Sequence, residues 1–395
     1  MFKKSLIAIS LSTMCQAAIA DSDVPDLKQL WQIIQQQQSR IEQLEAQLAD
    51  TNQQLDATSE AVIEVIENPA PSASLASTAR WVEKTSIGGY GEHHLNINSD
   101  KDDVIDAHRF VVYVGHQFND KLRFFSELEL EHGLAGEGQP GEVELEQAFI
   151  EYDYAEQHSI QMGQFLLPIG LLNETHEPET FYGTERNLVE KNIIPTTWWE
   201  TGTMLKGQLA EGLSYNLAIH SGLNIDPGGK VRNGRQKSAN AIANDWAYTG
   251  RLKYTAIPGI EFGASIQYQA DVTQGLDNSS AVLSQLHAVV NKDRFGLRAL
   301  WAQWNIQGSA FEQNGRDKQE GWYIEPSFKI TNQLGVFARY SEYNNEAGSS
   351  SANANEYFDS GINYWLSPQV VLKADISNHI NGKNDSVNLG VGWSY

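Results

Sequence analysis

The chain of 395 residues has one cysteine, Cys15, and only 11 prolines. Positive charge is scarce too: 28 Lys+Arg stand against 50 Asp+Glu, a formal net charge of -22. Past the leader there is no apolar run of about 18 residues, the length a spanning helix needs. Each shortage excludes something. A lone cysteine cannot staple the chain to itself. A cation deficit argues against nucleic-acid binding, whose affinity comes from Lys and Arg neutralising phosphates. The missing apolar run excludes a helical membrane protein. What is present is 41% hydrophobic residues, with 10 Trp, 15 Tyr and 14 Phe. That is enough for a core and excludes a wholly disordered chain. The length suits two or three ordinary domains or one large β domain. A membrane β-barrel escapes every exclusion, because its lipid face uses only alternate residues.

Residues 1–20, MFKKSLIAISLSTMCQAAIA, read as a secretory signal peptide. Lys3 and Lys4 form the positive end, Leu6 to Met14 the apolar centre, and Ala18-Ile19-Ala20 the cleavage site. Cleavage removes the cysteine and two lysines, taking the net charge from -22 to -24. A bacterial envelope is the expected setting.

From Leu27 the pattern repeats every seven residues. The a positions are Leu27, Ile34, Ile41, Leu48, Leu55 and Val62; the d positions are Leu30, Gln37, Leu44, Thr51, Thr58 and Val65. An apolar a column over this length predicts a coiled-coil stalk over 26–67, on the order of 60 Å long at 1.5 Å per residue. The other reading is a single amphipathic helix lying on a partner surface. Residues 68–80, which include NPAPSASLASTA, predict a linker.

After Trp81 the period becomes two. Ile260, Phe262, Ala264, Ile266 and Tyr268 alternate with Glu261, Gly263, Ser265, Gln267 and Gln269. Val387, Leu389, Val391, Trp393 and Tyr395 alternate with Asn388, Gly390, Gly392 and Ser394. Such segments start near Ser86, Val104, Lys121, Glu142, His158, Thr201, Leu213, Asp245, Ile260, Ala281, Arg294, Gln319, Gln333, Asn355, Val370 and Asp385. Tight turns such as Asn119-Asp120, Glu211-Gly212 and Lys292-Asp293 alternate with long connections at 133–141, 168–200, 223–244, 272–280, 306–317 and 346–354. A transmembrane barrel of about 16 antiparallel strands segregates short turns and long loops this way, whereas a soluble sandwich has no reason to. Trp246, Tyr152, Tyr154, Tyr254, Trp365, Trp393 and Tyr395 at strand ends suit an aromatic girdle.

The third long loop, read over Pro168 to Gly202, is the longest. Folded inward, it would narrow the aqueous hole of a sixteen-stranded barrel. Pro178 and Pro195 limit its freedom, and Tyr182-Gly183 and Thr201-Gly202 read as turn points. Gly163-Gln164-Phe165, Pro168-Ile169-Gly170, Asn173, His176, Pro178, Thr180-Phe181-Tyr182-Gly183, Glu185-Arg186-Asn187 and the run Ile194 to Gly202 resemble the phosphate-selective porin O and P family. So does the layout of leader, Gln-rich heptads and barrel. The resemblance implies a trimeric, sixteen-stranded outer-membrane porin. Its phosphate-specific members use a ladder of lumen arginines with lysines at the narrow point.

Alternation predicts inward cations at Arg123, Lys206, Arg251, Lys253, Arg298, Lys329, Arg339 and Lys373. It predicts inward acids at Glu127, Glu129, Glu151, Asp153, Glu261, Glu325, Asp359 and Asp375. The two columns balance, so the sequence does not predict the positive ring that would select anions. The constriction candidates on loop three are Glu174, His176, Glu179, Glu185, Arg186, Glu190 and Lys191.

No G-x-S-x-G, H-E-x-x-H or P-loop pattern occurs. His220-Ser221 and Ser377 with His379 are the nearest Ser/His pairs, and neither has an activating context. His176 with Glu174 or Glu177 reads as a hydrogen-bonded loop rather than a cation site. The expectation is a porin for passive diffusion of small hydrophilic solutes or ions, with no enzyme activity, cofactor or metal. Its partners would be two further copies of itself, outer-membrane lipid and lipopolysaccharide, and the solutes. The alternative is a non-conducting outer-membrane tether with a periplasmic stalk.

Overall fold

The computed structural model describes residues 81–395 and, singly, Gln35 and Gln38. The predicted leader (1–20), coiled coil (26–67) and linker (68–80) lie outside the described residues. The rest is sixteen strands: β1 Thr85–Asn98, β2 Val104–Asn119, β3 Leu122–Glu131, β4 Val143–Ala155, β5 His158–Leu166, β6 Trp199–Ala210, β7 Leu213–His220, β8 Ala247–Tyr254, β9 Ile260–Gln269, β10 Ala281–Lys292, β11 Phe295–Ile306, β12 Lys318–Lys329, β13 Leu334–Asn344, β14 Asn355–Ser367, β15 Val370–His379 and β16 Ser386–Ser394. Each pairs antiparallel with its sequence neighbours, and β1 pairs with β16, so the sheet closes on itself. Closure leaves no unpaired edge. The sequence places every strand start within two residues of the observed one.

Alternation decides which side chains face out. On β9, Phe262, Ile266 and Tyr268 are exposed, while Ser265, Gln267 and Gln269 are buried. The exposed set continues round the ring through Leu217, Leu252, Leu286, Ile324, Phe358, Ile362, Leu372, Ile376 and Leu389. The outer wall is thus an apolar belt, inverting the usual arrangement of a water-soluble domain. Trp246, Tyr152, Tyr154, Tyr254 and Tyr395 are exposed on it. Trp365 departs from the expected girdle. It turns inward, its ring edge-on to Tyr182 at 5.7 Å.

The hydrophobic core lies inside the barrel. Leu167, Ile169, Ile193, Ile194 and Trp198 of loop three pack with Leu223, Ile225 and Val231 of loop four. Both sets press on Leu283, Leu300, Trp304 and Tyr323 of β10, β11 and β12. The aqueous hole expected from the sequence is thus partly filled by apolar packing. One side of the interior is packed with apolar side chains, and polar space remains on either side of loop three, one part against strands that include β1, β2 and β14–β16 and another against β8–β11.

Candidate functional site

Loop three runs from Leu167 to Trp198, between β5 and β6. Thr201-Gly202, read from sequence as a turn point, belongs to β6 instead, while Gly183 does take a left-handed φ of 83°. Asn173 closes the neck of the loop. Its amide donates to the carbonyls of Leu167 and Trp198, both at 2.8 Å, and its oxygen accepts from Trp198 N at 2.7 Å. Beyond the neck come a 3₁₀ turn, Pro178–Thr180, and a short helix α1, Leu188–Asn192, capped by the Asn187 side chain on Val189 N. Glu190, fully buried, accepts from Leu171 N at 2.8 Å, Leu172 N at 2.7 Å and the Tyr323 hydroxyl at 2.7 Å. A polar loop can sit in a barrel because its backbone groups find partners there.

Those partners are largely cations from the wall. Arg109 donates to the carbonyl of His176 at 2.6 Å, Arg298 to Thr180 at 2.7 Å, Arg339 to Tyr182 at 2.8 Å and Lys373 to Gly183 at 2.8 Å. Lys373 also lies 3.6 Å from the centre of the Phe181 ring, close enough for a cation–π contact. From the other side, Asp375 accepts from Thr184 N at 2.6 Å, and Glu185 meets His94 at 3.1 Å and Asn96 at 3.0 Å. Burial alone would raise the Glu185 pKa. The hydrogen bond and charge of His94 outweigh it and hold the carboxyl well below the usual range. The loop is seated on β16 through Gly390 and Gly392, where a Cβ would fall 2.9 Å from Thr184 and 2.3 Å from Pro178.

The remaining inward cations are matched by acids or rings. Arg123 meets Glu151 at 2.5 Å and Asp153 at 2.7 Å; Lys206 meets Glu151 at 2.9 Å. Arg251 binds Glu174, Lys253 approaches Glu261 at 3.6 Å, and Lys329 sits over the Trp365 ring. Arg339 is also paired with Glu325 at 2.6 Å and Asp359 at 3.3 Å. Glu127, Glu129 and Glu146 are buried on β3 and β4, and His176 packs against Glu127 and Glu146 rather than Glu174 or Glu177. The Glu179 carbonyl accepts from Trp365 at 3.4 Å. Of the Ser/His pairs, Ser221 donates to Glu200, His220 meets Thr249 at 2.9 Å, and Ser377 donates to Asp359 at 2.6 Å.

Glu92, Arg109, Glu144 and Glu146, absent from the inward columns read from sequence, are all buried. Glu92 keeps the parity of the buried Tyr90 and His94 on β1 and follows plain alternation, while the other three lie at register shifts. The β1–β2 ladder shifts between Glu92 and His94, and the β3–β4 ladder skips Glu146 by pairing Glu127 with Gln147 and Leu128 with Leu145. A bulge flips the parity of everything beyond it. The corrected wall is more acidic than the balanced columns read from sequence.

Two cavities flank loop three. One, about 660 Å³, opens on the side of the long loops and is lined by Lys101, Glu185, Arg186, Lys191, Arg232 and Asp375, among others. The second, about 400 Å³, lies towards the short turns and is lined by Glu174, Arg251, Lys253, Glu261, His287 and Arg298, among others. They share no lining residue. At the first, loop four brings up cations that the sequence reading overlooked. Arg232 donates to the carbonyls of Lys191 and Thr196, and Arg235 to that of Thr197, while Arg186 donates to the Thr197 hydroxyl. These acceptors are neutral, and the buried Nε atoms of Arg186 and Arg235 have no partner among the described residues. Burial, then the charges of Arg235 and Arg186, pull the Arg232 pKa down to about 9.

No protein-family model matches the chain. An uncharacterized protein of Aquifex aeolicus (strain VF5) is 28% identical over 359 residues, covering 81% of this chain and 82% of its own length. Among solved structures, the fold is similar to the anion-selective porin from Comamonas acidovorans, with a TM-score of 0.58, 11% identity, and coverage of 79% of this chain and 99% of that one. It is also similar to the outer membrane channel DcaP of Acinetobacter baumannii, with a TM-score of 0.55, 10% identity, and coverage of 79% and 97%. The chain therefore shares the sixteen-stranded fold of outer-membrane porins and channels.

Proposed function

We propose that the protein is an outer-membrane porin through which small hydrophilic solutes or ions diffuse passively, with loop three setting the size limit. The observation that carries this reading is the inverted wall: a closed barrel with an apolar outside and polar, charged cavities beside an inward loop. Lipid solvates such an exterior, and closure satisfies every strand in a medium without water. The lining candidates are the inward residues placed above. The constriction is assigned to Glu174, Glu179, Glu185, Arg186 and Lys191, with His176 and Glu190 holding the loop rather than facing solute.

Phosphate selectivity through a lumen ladder has little support, because the wall cations are committed to carboxylates, to loop-three carbonyls or, at Lys329, to the Trp365 ring. A mild anion bias is instead assigned to the mouth, where Arg186, Lys191, Arg232 and Arg235 lack acidic partners among the described residues. Homotrimer formation through the heptads of 26–67 remains part of the proposal.

The test is single-channel recording of the purified full-length protein in a planar bilayer, under a salt gradient and with phosphate added. Ohmic steps with a small anion-side reversal potential and no phosphate block are expected. The separation of the two cavities favours a second reading, a barrel closed by loop three that serves as a tether. Folded protein giving no steps would select it over the porin.

A further inference from the structure

We propose that Glu127 on β3, Glu146 on β4 and His176 on loop three form a site for a divalent cation of the zinc class, which fastens the loop to the barrel wall. The site does not depend on whether the barrel conducts. The three side chains are buried to 1%, 1% and 2% exposure, and each offers a ligand atom within 4.8 Å of the other two. His176 Nδ1 lies 3.2 Å from the carbonyl of Asn173. A carbonyl only accepts, so Nδ1 carries the hydrogen and the neutral ring presents a lone pair at Nε2. That lone pair faces Glu146 Oε2 at 3.3 Å and Glu127 Oε1 at 3.8 Å. Neither His176 Nε2 nor Glu146 Oε2 has a hydrogen-bond partner among the described residues.

Three lone-pair atoms turned on one another need a hydrogen or a cation between them. A hydrogen, whether on Nε2 or on a protonated carboxyl, would draw the partners to about 2.5–2.9 Å, the range of hydrogen bonds with ionised or hydroxyl partners. The observed separations are longer. Around a tetrahedral ion with ligand distances of about 2.1 Å, neighbouring ligand atoms lie about 3.4 Å apart. The separations of 3.3 and 3.8 Å bracket that edge.

The surroundings suit an ion. The imidazole N–H on a backbone carbonyl is the outer-shell partner that orients a metal-bound histidine. Glu127 is oriented the same way, accepting from Gln147 at 2.6 Å and from the Tyr90 hydroxyl at 3.3 Å. Arg109 stands nearby, but Glu92 neutralises it at 2.5 Å. Glu129, with a buried Oε2 that lacks a partner among the described residues, adds a further carboxyl group beside the site. Two other clusters differ. Asp106 Oδ2 already meets His108 at 3.1 Å and His132 at 2.8 Å, and Lys237 already occupies Glu142 and Glu144.

The experiment is calorimetric titration of zinc chloride into the chelator-stripped full-length protein in detergent. The zinc retained per chain after gel filtration is measured alongside, and heat-shifted gel mobility certifies a folded barrel. One zinc per chain is expected. Binding weakens at least tenfold in Glu146→Gln and in His176→Ala and is kept in His132→Ala. Equal binding by wild type and Glu146→Gln would overturn the site, as would loss in His132→Ala alone or no binding by folded wild type. Should a variant fail to fold, X-ray absorption at the zinc edge of the wild type decides. One imidazole with carboxylate oxygens supports the site, and two imidazoles overturn it.

Discussion

The guanidinium of Arg339, on β13, donates to the carbonyl of Tyr182 at 2.8 Å while its other nitrogens hold Glu325 and Asp359. One side chain thereby joins three strands to the tip of the inward loop. The same relation recurs at Arg109 with His176, Arg298 with Thr180 and Lys373 with Gly183. Arg298, Arg339 and Lys373, which the sequence presents as lumen lining, are in the fold fixings for backbone carbonyls.

Replacing Arg339 should therefore cost stability before it alters selectivity. Arg339→Met strands two buried carboxylates, and loss of one partner of a buried pair costs roughly 3–5 kcal/mol. Lys373→Met removes a donor to a carbonyl and a ring contact, so it should cost less. Urea unfolding of the two variants ranks them, and equal midpoints would contradict the assignment.

Gly392 is a seat for Pro178. A β-carbon there would lie 2.3 Å from the proline ring, so Gly392→Val must lift the 178–184 segment off β16. The expected result is a larger or noisier conductance from a barrel that still closes. At Gly250 the nearest atoms would be 3.5 Å away, and Gly250→Ala should leave the recordings unchanged.

Glu185 sets the response to acid. Its folded pKa lies well below the unfolded value near 4.5. Its contribution to docking is therefore complete above that unfolded value and is lost only as pH falls through the lower, folded one. Between pH 7 and 5 the wild-type current should be steady, with flicker appearing only in stronger acid. Glu185→Gln should flicker already at pH 7. A wild-type transition near pH 6 would assign control to another group.

The mouth cations predict the direction of ion bias. Arg186→Glu and Arg232→Glu should each move the reversal potential towards cation preference. Arg123→Gln, remote from this cavity and already paired, should change it little. Similar shifts in all three would mean that net charge alone sets the bias.

The strands were legible because a membrane barrel writes its two faces as a period of two, and short and long connections fall on opposite sides. The inward columns were legible for the same reason, up to the bulges. Arg109 and Glu146 sit beside register shifts, which no count of alternate residues detects. The apolar inner faces of β10 and β11, with Leu283, Leu300 and Trp304, broke the expected contrast between wall and lumen, because loops three and four cover them. The 223–244 connection is legible as a long loop, but its inward packing is not, since its buried residues, Leu223, Ile225 and Val231, are scattered among polar neighbours.

The seat of loop three has a consequence for assembly order. Its neck is complete once β5 and β6 meet, but its fixings come from β2, β11, β13 and β15, and the glycines that admit it belong to β16. Mid-chain residues thus need the final strand before their seat is complete. The full set of contacts that holds the loop exists only in the closed ring, so its docking draws together strands from both ends of the chain.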